Sequence, residues 1–294
     1  FGPEGLLIDE FYTLRARKAV IEGWLTKQVD GRIHGNMWTC GTPTFRCRHE
    51  VIVNLPGSDA IWGREIRELL TADEGTIIVG ADSSGNQLRG LCHYVRNADF
   101  TKEVIFGDQH QRNADSLGCS RAVAKSYLYA YLFGAGDAKL GQVLTGKANA
   151  AVGKKSRADF AKGIKGLTEL KDKLSKVWKN TRFGGGEGKI PGLDGRPIYV
   201  ASDHQALNYL LQSAEGITCK AAVSYQMQKI KEEGLRAEAR LFYHDETAWA
   251  CHPDDADRVG QILKESFAEA PKWFGVECMD GGDPSMGSSY ADVH

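Results

Sequence analysis

The stretch LFYHDETAW, residues 241–249, decides the fold of this chain. Its apolar and aromatic residues stop at His244, Asp245 and Glu246, and an apolar run resumes after them. Extended segments on both sides of a short polar tip predict a β-hairpin. The sheet would hold a carboxylate at this tip rigidly and present it to one side. Taken alone, the stretch favours an ordinary turn, because Asp is a common turn residue.

A second stretch, TIIVGADSSG at residues 76–85, makes a functional role for Asp245 the better interpretation. It predicts a buried strand that ends in Asp82, far in sequence from Asp245. Two aspartates at two strand ends are what a two-metal site needs, because hard divalent cations prefer carboxylate oxygens. Paired metal ions can clamp the attacking and leaving oxygens of a phosphoryl transfer. The two stretches together therefore predict a metal site for phosphoryl-transfer chemistry.

The composition is ordinary for a globular protein. The chain has 294 residues, of which 42% are hydrophobic and 26% are charged. This length is enough for one large domain or two medium ones. The formal net charge is -1, which argues against a surface coated with cations for nucleic acid. A local basic cleft stays compatible with it, because the field depends on how the charges are distributed.

The cysteines favour a reducing environment. Their number is odd, seven, their spacing is scattered and no C-x-x-C occurs, which disfavours a disulfide framework or a zinc site. We therefore expect an intracellular protein, in the host cytoplasm if the chain is viral. No apolar run approaches the length of a membrane span, and no signal peptide is visible. Because the first residue is Phe1 and not Met, we expect a fragment or a processed chain.

The order of the predicted elements places a helical block inside one sheet. Helical patterns cover residues 6–27, 62–70, 88–94, 108–143, 139–179, 206–233 and 254–268. Loops and short strands are predicted over 31–48, a glycine-rich break over 183–188 and a hairpin turn over 192–196. The strand with Asp82 precedes the helical block and the hairpin with Asp245 follows it. The sequence therefore predicts an α+β fold in which a helical insertion interrupts one sheet.

One predicted helix, from Arg121 to Phe133 with Ser120 as its N-cap, carries a cationic face. Arg121, Lys125 and Tyr129 are four residues apart and are therefore neighbours on the helix surface. A guanidinium and an ammonium one turn apart suit a polyphosphate, and an aromatic ring on the same face suits a base or a sugar. The alternative is a solvated basic face. The apolar and aromatic residues on the remaining faces weaken that alternative.

The long predicted helix after residue 206 carries a polar stripe. Asn208 and Gln212 repeat the four-residue spacing, and His204 stands one turn earlier. Amides on an otherwise apolar helix need a partner or solvent. Two roles are open at this point. One is capping or lining a rim, and the other is contact with a nucleic-acid minor groove, whose acceptors amides engage with little sequence bias.

Together these segments resemble the C-terminal polymerase portion of family A DNA polymerases, in particular the phage T7-type branch. The blocks that carry the resemblance, in the family's order and spacing, are ADSSGNQLR (81–89), RAVAKSYLYAYLFGAG (121–136), GLDGR (192–196) with HQALNYLLQSA (204–214), and HDE (244–246). Weaker matches are TFR (44–46), GDQH (107–110) and the terminal His294. The resemblance covers nearly the whole chain. It implies a right-hand polymerase core, in which an antiparallel palm sheet carries a helical fingers insertion.

The resemblance also implies roles for the residues at the two strand ends. Asp82 and Asp245 would be the metal-binding, catalytic carboxylates for two Mg²⁺ ions. The backbone carbonyl of Ser83 would assist in binding the metal and the nucleotide. Glu246 would line the catalytic site without needing to bind metal.

For the nucleotide, the resemblance implies that Arg121 and Lys125 hold the incoming triphosphate, with His110 near its phosphates. Lys125 would also act catalytically by donating a proton to the departing pyrophosphate. Tyr129 would meet the sugar and the base, and family members with Tyr at this position accept dideoxynucleotides far better than members with Phe. The implied contacts to the primer–template come from Arg46, His204, Asn208, Gln212 and His244.

Three positions depart from the family pattern. Gln87 stands where the family usually has a Glu that packs under the sugar and excludes the ribose 2′-OH. Because Gln is nearly isosteric with Glu, exclusion can survive although the charge is lost. Phe133 stands where many relatives have Tyr. Phe45 replaces a usual Gly, so the loop that carries Arg46 can differ from that of the family.

The resemblance divides the chain into four parts. Residues 1–27 would lead in from the thumb, 28–106 and 200–294 would form the palm, and 107–199 would form the fingers. The expected reaction is template-directed attack of a primer 3′-OH on a deoxynucleoside triphosphate in DNA replication. The family's exonuclease and most of its thumb would lie on another chain, elsewhere in the gene product, or be missing. The expected partners are primer–template DNA, deoxynucleoside triphosphates, and a separate exonuclease or thumb chain or a processivity factor, with no membrane.

Other functions stay open from the sequence alone. One alternative is a single-subunit RNA polymerase, which shares the palm chemistry and is compatible with Gln87. A comparison of ribonucleotide and deoxynucleotide incorporation separates the two functions. An inactive primer–template-binding module, lacking its thumb or exonuclease chain, would bind DNA without Mg²⁺-dependent extension. A generic metal hydrolase would leave the face of Arg121, Lys125 and Tyr129 without a purpose.

Overall fold

The structure, a computed structural model, describes residues 2–182 and 184–293. The terminal His294 and Phe183 at the start of the glycine-rich break therefore lie outside the described residues. The described elements are, in chain order, α1 (Pro3–Lys27), β1 (Gln28–Val29), β2 (Arg32–Ile33), β3 (Asn36–Trp38), β4 (Arg48–Glu50), α2 (Gly63–Glu68), β5 (Ile77–Asp82), α3 (Asn86–Val95), α4 (Ala98–Phe106), α5 (Gln109–Leu117), α6 (Arg121–Leu132), α7 (Asp137–Thr145), α8 (Ala150–Gly163), α9 (Leu167–Thr181), β6 (Gly188–Pro191), β7 (Pro197–Val200), α10 (Ala206–Glu232), β8 (Ala237–Tyr243), β9 (Glu246–Cys251), α11 (Ala256–Glu269) and β10 (Ser285–Gly287).

A four-stranded antiparallel sheet, in the order β10-β5-β9-β8, lies at the centre of this fold. Strands β8 and β9 form the predicted hairpin, because Tyr243 pairs with Glu246 and leaves only His244 and Asp245 in the loop. Strand β5 pairs with β9 so that its last residue, Asp82, lies opposite Glu246. The register therefore brings the two aspartate-bearing stretches to the same edge of the sheet.

The two central strands of the sheet are covered on both faces. On one face Val79 and Trp249 pack with Ile262 of α11. On the other face Ile78 packs with Tyr290 from the end of the chain. Successive side chains of a strand point to opposite faces, and every residue of β9 is buried. The strands are therefore held from both sides, and the residues at their ends inherit fixed positions.

The helical block between β5 and α10 has its own core. Helix α6 turns one side into it, and the buried residues of α6 are Ala124, Tyr127, Leu128, Tyr131 and Leu132. Tyr131 lies 5.0 Å, ring centroid to ring centroid, from Phe160 of α8. Arg121 and Lys125 stay exposed on the other side. Ser120 caps the helix as predicted, by accepting a hydrogen bond from the Val123 N–H at 3.3 Å.

The last stretch of the chain contributes an edge strand that the sequence did not indicate. Strand β10 pairs with β5, placing Met286 opposite Val79. Close packing continues at Gly80, where an added Cβ would lie 2.9 Å from the Val293 Cβ. The Gly- and Ser-rich composition of this stretch therefore conceals an ordered part of the sheet. None of the helices in the described part of the chain combines the length and the hydropathy of a membrane span.

Candidate active site

Asp82 and Asp245 lie at the end of the central strand pair. Asp82 is exposed at the end of β5, and Asp245 is half-buried in the hairpin loop. The two backbones are joined directly, since the Ser83 N–H donates to the Asp245 carbonyl oxygen at 2.8 Å. The structure therefore brings together the two carboxylates and the Ser83 backbone that the sequence predicted for one site.

The carboxylates of this site repel one another. Burial, together with the nearby carboxylates of Glu215 and Asp82, raises the pKa of Asp245 to about 7, while Arg46 opposes them. Burial and like charges both disfavour an ionised carboxyl group. The local excess of negative charge makes the strand ends a favourable place for a cation.

A glycine pair from the end of the chain holds Asp82 in place. The Gly282 N–H donates to the Asp82 carbonyl oxygen at 2.8 Å, and Ser83 forms a bridge with Gly281. A Cβ at Gly282 would collide with the Asp82 Oδ1. The absence of a side chain at Gly282 therefore leaves the room that the Asp82 carboxylate occupies.

Glu246 has a contact that the sequence did not predict. It is buried, and its Oε2 accepts a hydrogen bond from the Tyr290 hydroxyl at 2.9 Å. The Arg67 guanidinium lies over the Tyr290 ring, 5.0 Å from its centroid. Glu246 thus ties the start of β9 to the end of the chain, and its catalytic role stays a prediction.

The cationic face of α6 forms as predicted and gains two neighbours from α5 and its cap. Arg121 Nε donates to the Asp108 Oδ2 at 2.7 Å, and Asp108 also caps α5 by accepting from the Gln111 N–H at 3.0 Å. Burial lowers the pKa of His110, and the charges of Arg121 and Lys125 lower it further. His110, Arg121 and Lys125 therefore share one electropositive region.

Tyr129 connects this helix face to the strand ends. Burial raises the pKa of Tyr129, and the charges of Asp245 and Glu215 add to the effect. Its ring lies 6.2 Å from that of His110 and stacks on Phe133, also at 6.2 Å. Tyr129 therefore lies near both groups of charges, and we refer to the region around it, between the α6 face and the carboxylates, as the cleft.

The polar stripe of α10 faces the loop that carries Arg46. Gln212 Nε2 donates to the Asn208 Oδ1 at 2.9 Å, and the Thr44 hydroxyl donates to Gln212 Oε1 at 3.4 Å. Gly216 lets this loop approach the helix, because an added Cβ would lie 3.0 Å from the Phe45 carbonyl oxygen. Asn208 and Gln212 are thus partnered with each other and with the loop.

Phe45 adopts a glycine-type backbone. Its φ is 61°, in the left-handed region that costs about 1–2 kcal/mol for a residue with a Cβ. The Arg196 guanidinium lies over its ring at 4.5 Å from the centroid. Phe45 therefore takes a backbone conformation that Gly would adopt freely. Arg46 is the next residue in this loop.

The two candidate histidines near the DNA-contacting residues differ in their surroundings. His244 packs against His49 and Tyr243, with ring centroids 5.5 and 4.3 Å away. Burial and the nearby Arg46 lower the pKa of His244, so His244 belongs to the cleft. His204 is exposed, and its Nε2 lies 3.4 Å from the Ser202 hydroxyl oxygen. Its role in DNA binding stays a prediction.

Sequence reasoning missed Glu215, which lies at the centre of the cleft. This carboxylate is 2% exposed. It accepts hydrogen bonds from Arg46 and, at 2.9 Å, from Gln87 Nε2. A signal was available, because Glu215 is a charged residue on an apolar helix, one turn after Gln212, and charged residues are almost never fully buried unless paired.

An antiparallel sheet with two carboxylates at its edge, facing a cationic helix from an inserted helical block, defines the right-hand class of polymerases. Within that class, the chain belongs to DNA polymerase family A, since the sequence profile of that family matches residues 8–279. The family and the α+β polymerase fold that the sequence predicted are thereby confirmed.

Individual relatives agree with this assignment. The DNA-directed DNA polymerase of Escherichia phage T7 is 28% identical over 298 residues, covering 90% of this chain and 42% of the phage protein. That of Escherichia phage Phieco32 is 24% identical and covers 100% of this chain and 61% of its own length. DNA polymerase I of Aquifex aeolicus is 26% identical, covering 83% and 43%. The chain therefore spans less than two thirds of each of these relatives.

A solved structure shares the fold. The POL domain of Pol1 from M. smegmatis, described as a complex with DNA primer-template and dNTP, superposes with a TM-score of 0.81. The superposition covers 94% of this chain and 51% of that one, at 20% sequence identity. At this identity the likeness concerns the fold alone.

Proposed function

We propose that this chain is the polymerase portion of a template-directed DNA polymerase that extends a primer 3′-OH with deoxynucleotides during DNA replication. The observation that carries the proposal is the pairing of β5 with β9, which brings Asp82 beside the hairpin loop of Asp245. Family membership supports it. The phage T7 and Aquifex relatives are named as DNA polymerases.

The proposed palm consists of residues 28–106 and 200–294, and the proposed fingers of residues 107–199. The sheet strands β5, β8, β9 and β10 all fall in the two palm segments, whereas α5 to α9 fall in the fingers. Residues 1–27 are the proposed lead from a thumb. Many large apolar residues of α1, including Leu6, Leu7 and Phe11, are exposed, as expected of a helix that continues into such a neighbour.

The residues at the strand ends suit Mg²⁺. Asp82, Asp245 and the Ser83 carbonyl are hard oxygen donors, the type that Mg²⁺ prefers. In the described part of the chain, no group of three or more His, Cys, Asp or Glu residues could hold a metal ion. The proposed site therefore uses two carboxylates together with substrate oxygens, an arrangement typical of Mg²⁺ sites. Two bound Mg²⁺ ions would stabilise the charge of the transferring phosphoryl group and position both reacting oxygens.

The α6 face is the proposed triphosphate site. Arg121 and Lys125 lie one turn apart on its exposed side and would bind the phosphates by charge-assisted hydrogen bonds. His110 lies beside them, where burial and the two cations lower its pKa, and its ring would contact the phosphates. Lys125 would donate the proton that the departing pyrophosphate needs. Tyr129, between this face and the carboxylates, would contact the sugar and the base.

The loop of Arg46 and the stripe of α10 are the proposed primer–template contacts. Arg46, Asn208 and Gln212 lie along one surface, held together by the bonds among Thr44, Gln212 and Asn208. Arginine and amide side chains can bind minor-groove acceptors of any sequence. His244 would lie by the primer end, and we propose His204 as an outer contact. A separate exonuclease or thumb chain, or a processivity factor, would complete the enzyme.

A primer-extension assay tests the proposal. The purified chain is mixed with a labelled primer–template, Mg²⁺ and either deoxynucleotides or ribonucleotides, and Asp82→Asn serves as the inactive control. Deoxynucleotide addition in template order, absent from the control, is the expected result. A preference for ribonucleotides would favour the RNA polymerase alternative. Primer–template binding without any extension by the wild-type chain would contradict the proposed activity and favour a binding module.

A further inference from the structure

Glu215 occupies a position where an unpaired charge would be costly. It lies on α10 and is 2% exposed, and the charge of an isolated buried carboxylate is strongly disfavoured unless it is paired and hydrogen-bonded. Its neighbours along the helix, Ala214 and Gly216, are buried as well. The carboxylate therefore depends on groups that other elements bring to it.

Two such groups reach Glu215 from opposite sides. Arg46, in the loop before β4, donates through Nη2 to the Glu215 Oε1. Gln87, on α3, donates through Nε2 to the Glu215 Oε2 at 2.9 Å. Each carboxylate oxygen thus holds one residue, and the two residues come from different segments of the chain, the loop before β4 and helix α3.

The two partners of Glu215 each keep one polar atom for another contact. Gln87 Oε1 and Arg46 Nε are buried and have no hydrogen-bond partner among the described residues. A buried polar atom without a partner carries a desolvation cost of about 1–3 kcal/mol. Because Nε2 of Gln87 is committed to Glu215, the amide has a fixed orientation, with its oxygen left for a ligand.

We propose that Glu215 is a positioning residue that holds Gln87 toward the sugar of the incoming nucleotide and Arg46 toward the primer end. This inference rests on the proposed polymerase function. A single buried carboxylate then links the choice of sugar to the contact with the primer. Glu215 itself touches neither substrate, and it acts through the two side chains that it orients.

The pair Gln87 and Glu215 also explains the neutral residue at position 87. A carboxylate at position 87 would point at Glu215, and two carboxylates in one buried site repel each other. The structure therefore has room for one carboxylate shared between the two positions, and it lies at 215. An exchange of the two side chains should keep this arrangement, whereas a second carboxylate should break it.

The test compares Glu215→Gln, Gln87→Glu and the double variant that carries both changes, with Glu232→Gln at the exposed end of α10 as a matched control. Glu215→Gln offers one oxygen and one NH₂ to two donors, so one contact is lost. We expect its ratio of ribonucleotide to deoxynucleotide incorporation to rise by about tenfold, the scale of one hydrogen bond to a charged group. Gln87→Ala should raise the ratio as well, because it opens room beside the sugar.

Gln87→Glu alone should lower both thermal stability and activity, because it places a second carboxylate beside Glu215. The double variant should restore both, since residues in contact are typically strongly coupled. Its ratio of ribonucleotide to deoxynucleotide incorporation should return to within about threefold of wild type. A merely structural Glu215 would change stability without changing the ratio. If Glu215→Gln does not fold, the double variant still tests the inference, because it keeps one carboxylate in the buried site. The inference about Glu215 would be overturned, and the proposed function kept, if the wild-type chain extends the primer, Glu215→Gln leaves the incorporation ratio unchanged and the double variant shows no rescue. No extension by wild type would instead overturn the proposed function.

Discussion

The carboxylate side of the cleft and its cationic side are built differently. Asp82 ends β5 and Asp245 immediately precedes β9, and both of these strands are packed on both faces, so the two backbones have little freedom. Arg121 and Lys125 stand on the exposed side of α6, and Arg121 is paired with the exposed Asp108, with side chains 53% and 46% exposed. The first set of charges is fixed by the fold, whereas the second set can change partners.

This difference follows from what each side would have to do. Metal-binding carboxylates need a fixed spacing, and a sheet supplies it because functional groups on rigid elements are held more precisely. A triphosphate must enter and leave as pyrophosphate, so cations that bind it should be accessible and exchange their contacts at low cost. Exposed ion pairs have this property, since each is worth only about 0–1 kcal/mol.

The fixed side should show the largest effect. We expect Asp82→Asn and Asp245→Asn each to lower the rate of primer extension by roughly three orders of magnitude, because the lost metal site supplies several kcal/mol. Thermal stability should be maintained, since replacing Asp245 removes a carboxylate that other carboxylates repel. The measurement is single-turnover extension together with a melting curve, with the exposed Asp99→Asn as control. Mg²⁺-dependent extension near the wild-type rate in either variant would contradict the site.

Lys125→Ala should have the next largest effect, on the nucleotide and not on DNA. Losing a charge-assisted contact to phosphate should lower kcat/KM for deoxynucleotides by about one to two orders of magnitude, and more if Lys125 also donates the proton to pyrophosphate. The Kd for primer–template should stay unchanged. Lys162→Ala, at an exposed lysine of α8, is the control. A defect confined to DNA affinity would show that the α6 face binds a different ligand.

The position between the two sides, Tyr129, should set the response to dideoxynucleotides. The 3′-OH of a normal nucleotide can occupy a polar position beside the sugar. A dideoxynucleotide lacks this hydroxyl, and the Tyr129 hydroxyl can then occupy the position and form the hydrogen bond. Because Phe cannot make that bond, Tyr129→Phe should lower dideoxynucleotide use by about one to two orders of magnitude. Normal nucleotides should be little affected. Competitive single-nucleotide incorporation measures this effect, and equal discrimination by both proteins would show that Tyr129 does not face the sugar.

The sequence predicted the parts of this cleft that depend on local pattern. The hairpin at Asp245 follows from two extended segments and a polar tip, and α6 follows from the Ser120 cap and from its apolar face. The position of Asp82 follows from a strand that ends in a carboxylate. In each case the signal lies within a few turns or one strand, where periodicity and capping operate.

The parts that the sequence did not predict depend on long-range packing. Glu215 gains its role only because α3 and the loop of Arg46 meet α10, and no local pattern contains that meeting. Strand β10 has only 3 residues in a Gly- and Ser-rich stretch, too short to show an alternating pattern. Glu246 pairs with Tyr290 for the same reason, since the end of the chain folds back onto the sheet.

The smallest expected effect concerns Asp108, whose carboxylate occupies Arg121 and could compete with a phosphate for it. This carboxylate has two jobs, because Oδ2 accepts from Arg121 and Oδ1 accepts from the Gln111 N–H at the start of α5. Asp108→Asn separates them. Asn is as good a helix cap as Asp, so α5 should keep its stability, while the ion pair to Arg121 loses its charge.

If Asp108 competes with phosphate for Arg121, its removal should strengthen nucleotide binding. We expect KM for deoxynucleotides to fall by about two- to fivefold, the scale of one exposed ion pair, and the gain to shrink as salt concentration rises because salt screens such pairs. Melting curves should match those of wild type. Asp115→Asn, at an exposed carboxylate on the same helix α5, is the control. A rise in KM would show instead that Asp108 holds Arg121 in the orientation that binds phosphate, so that the cationic side would also be prearranged.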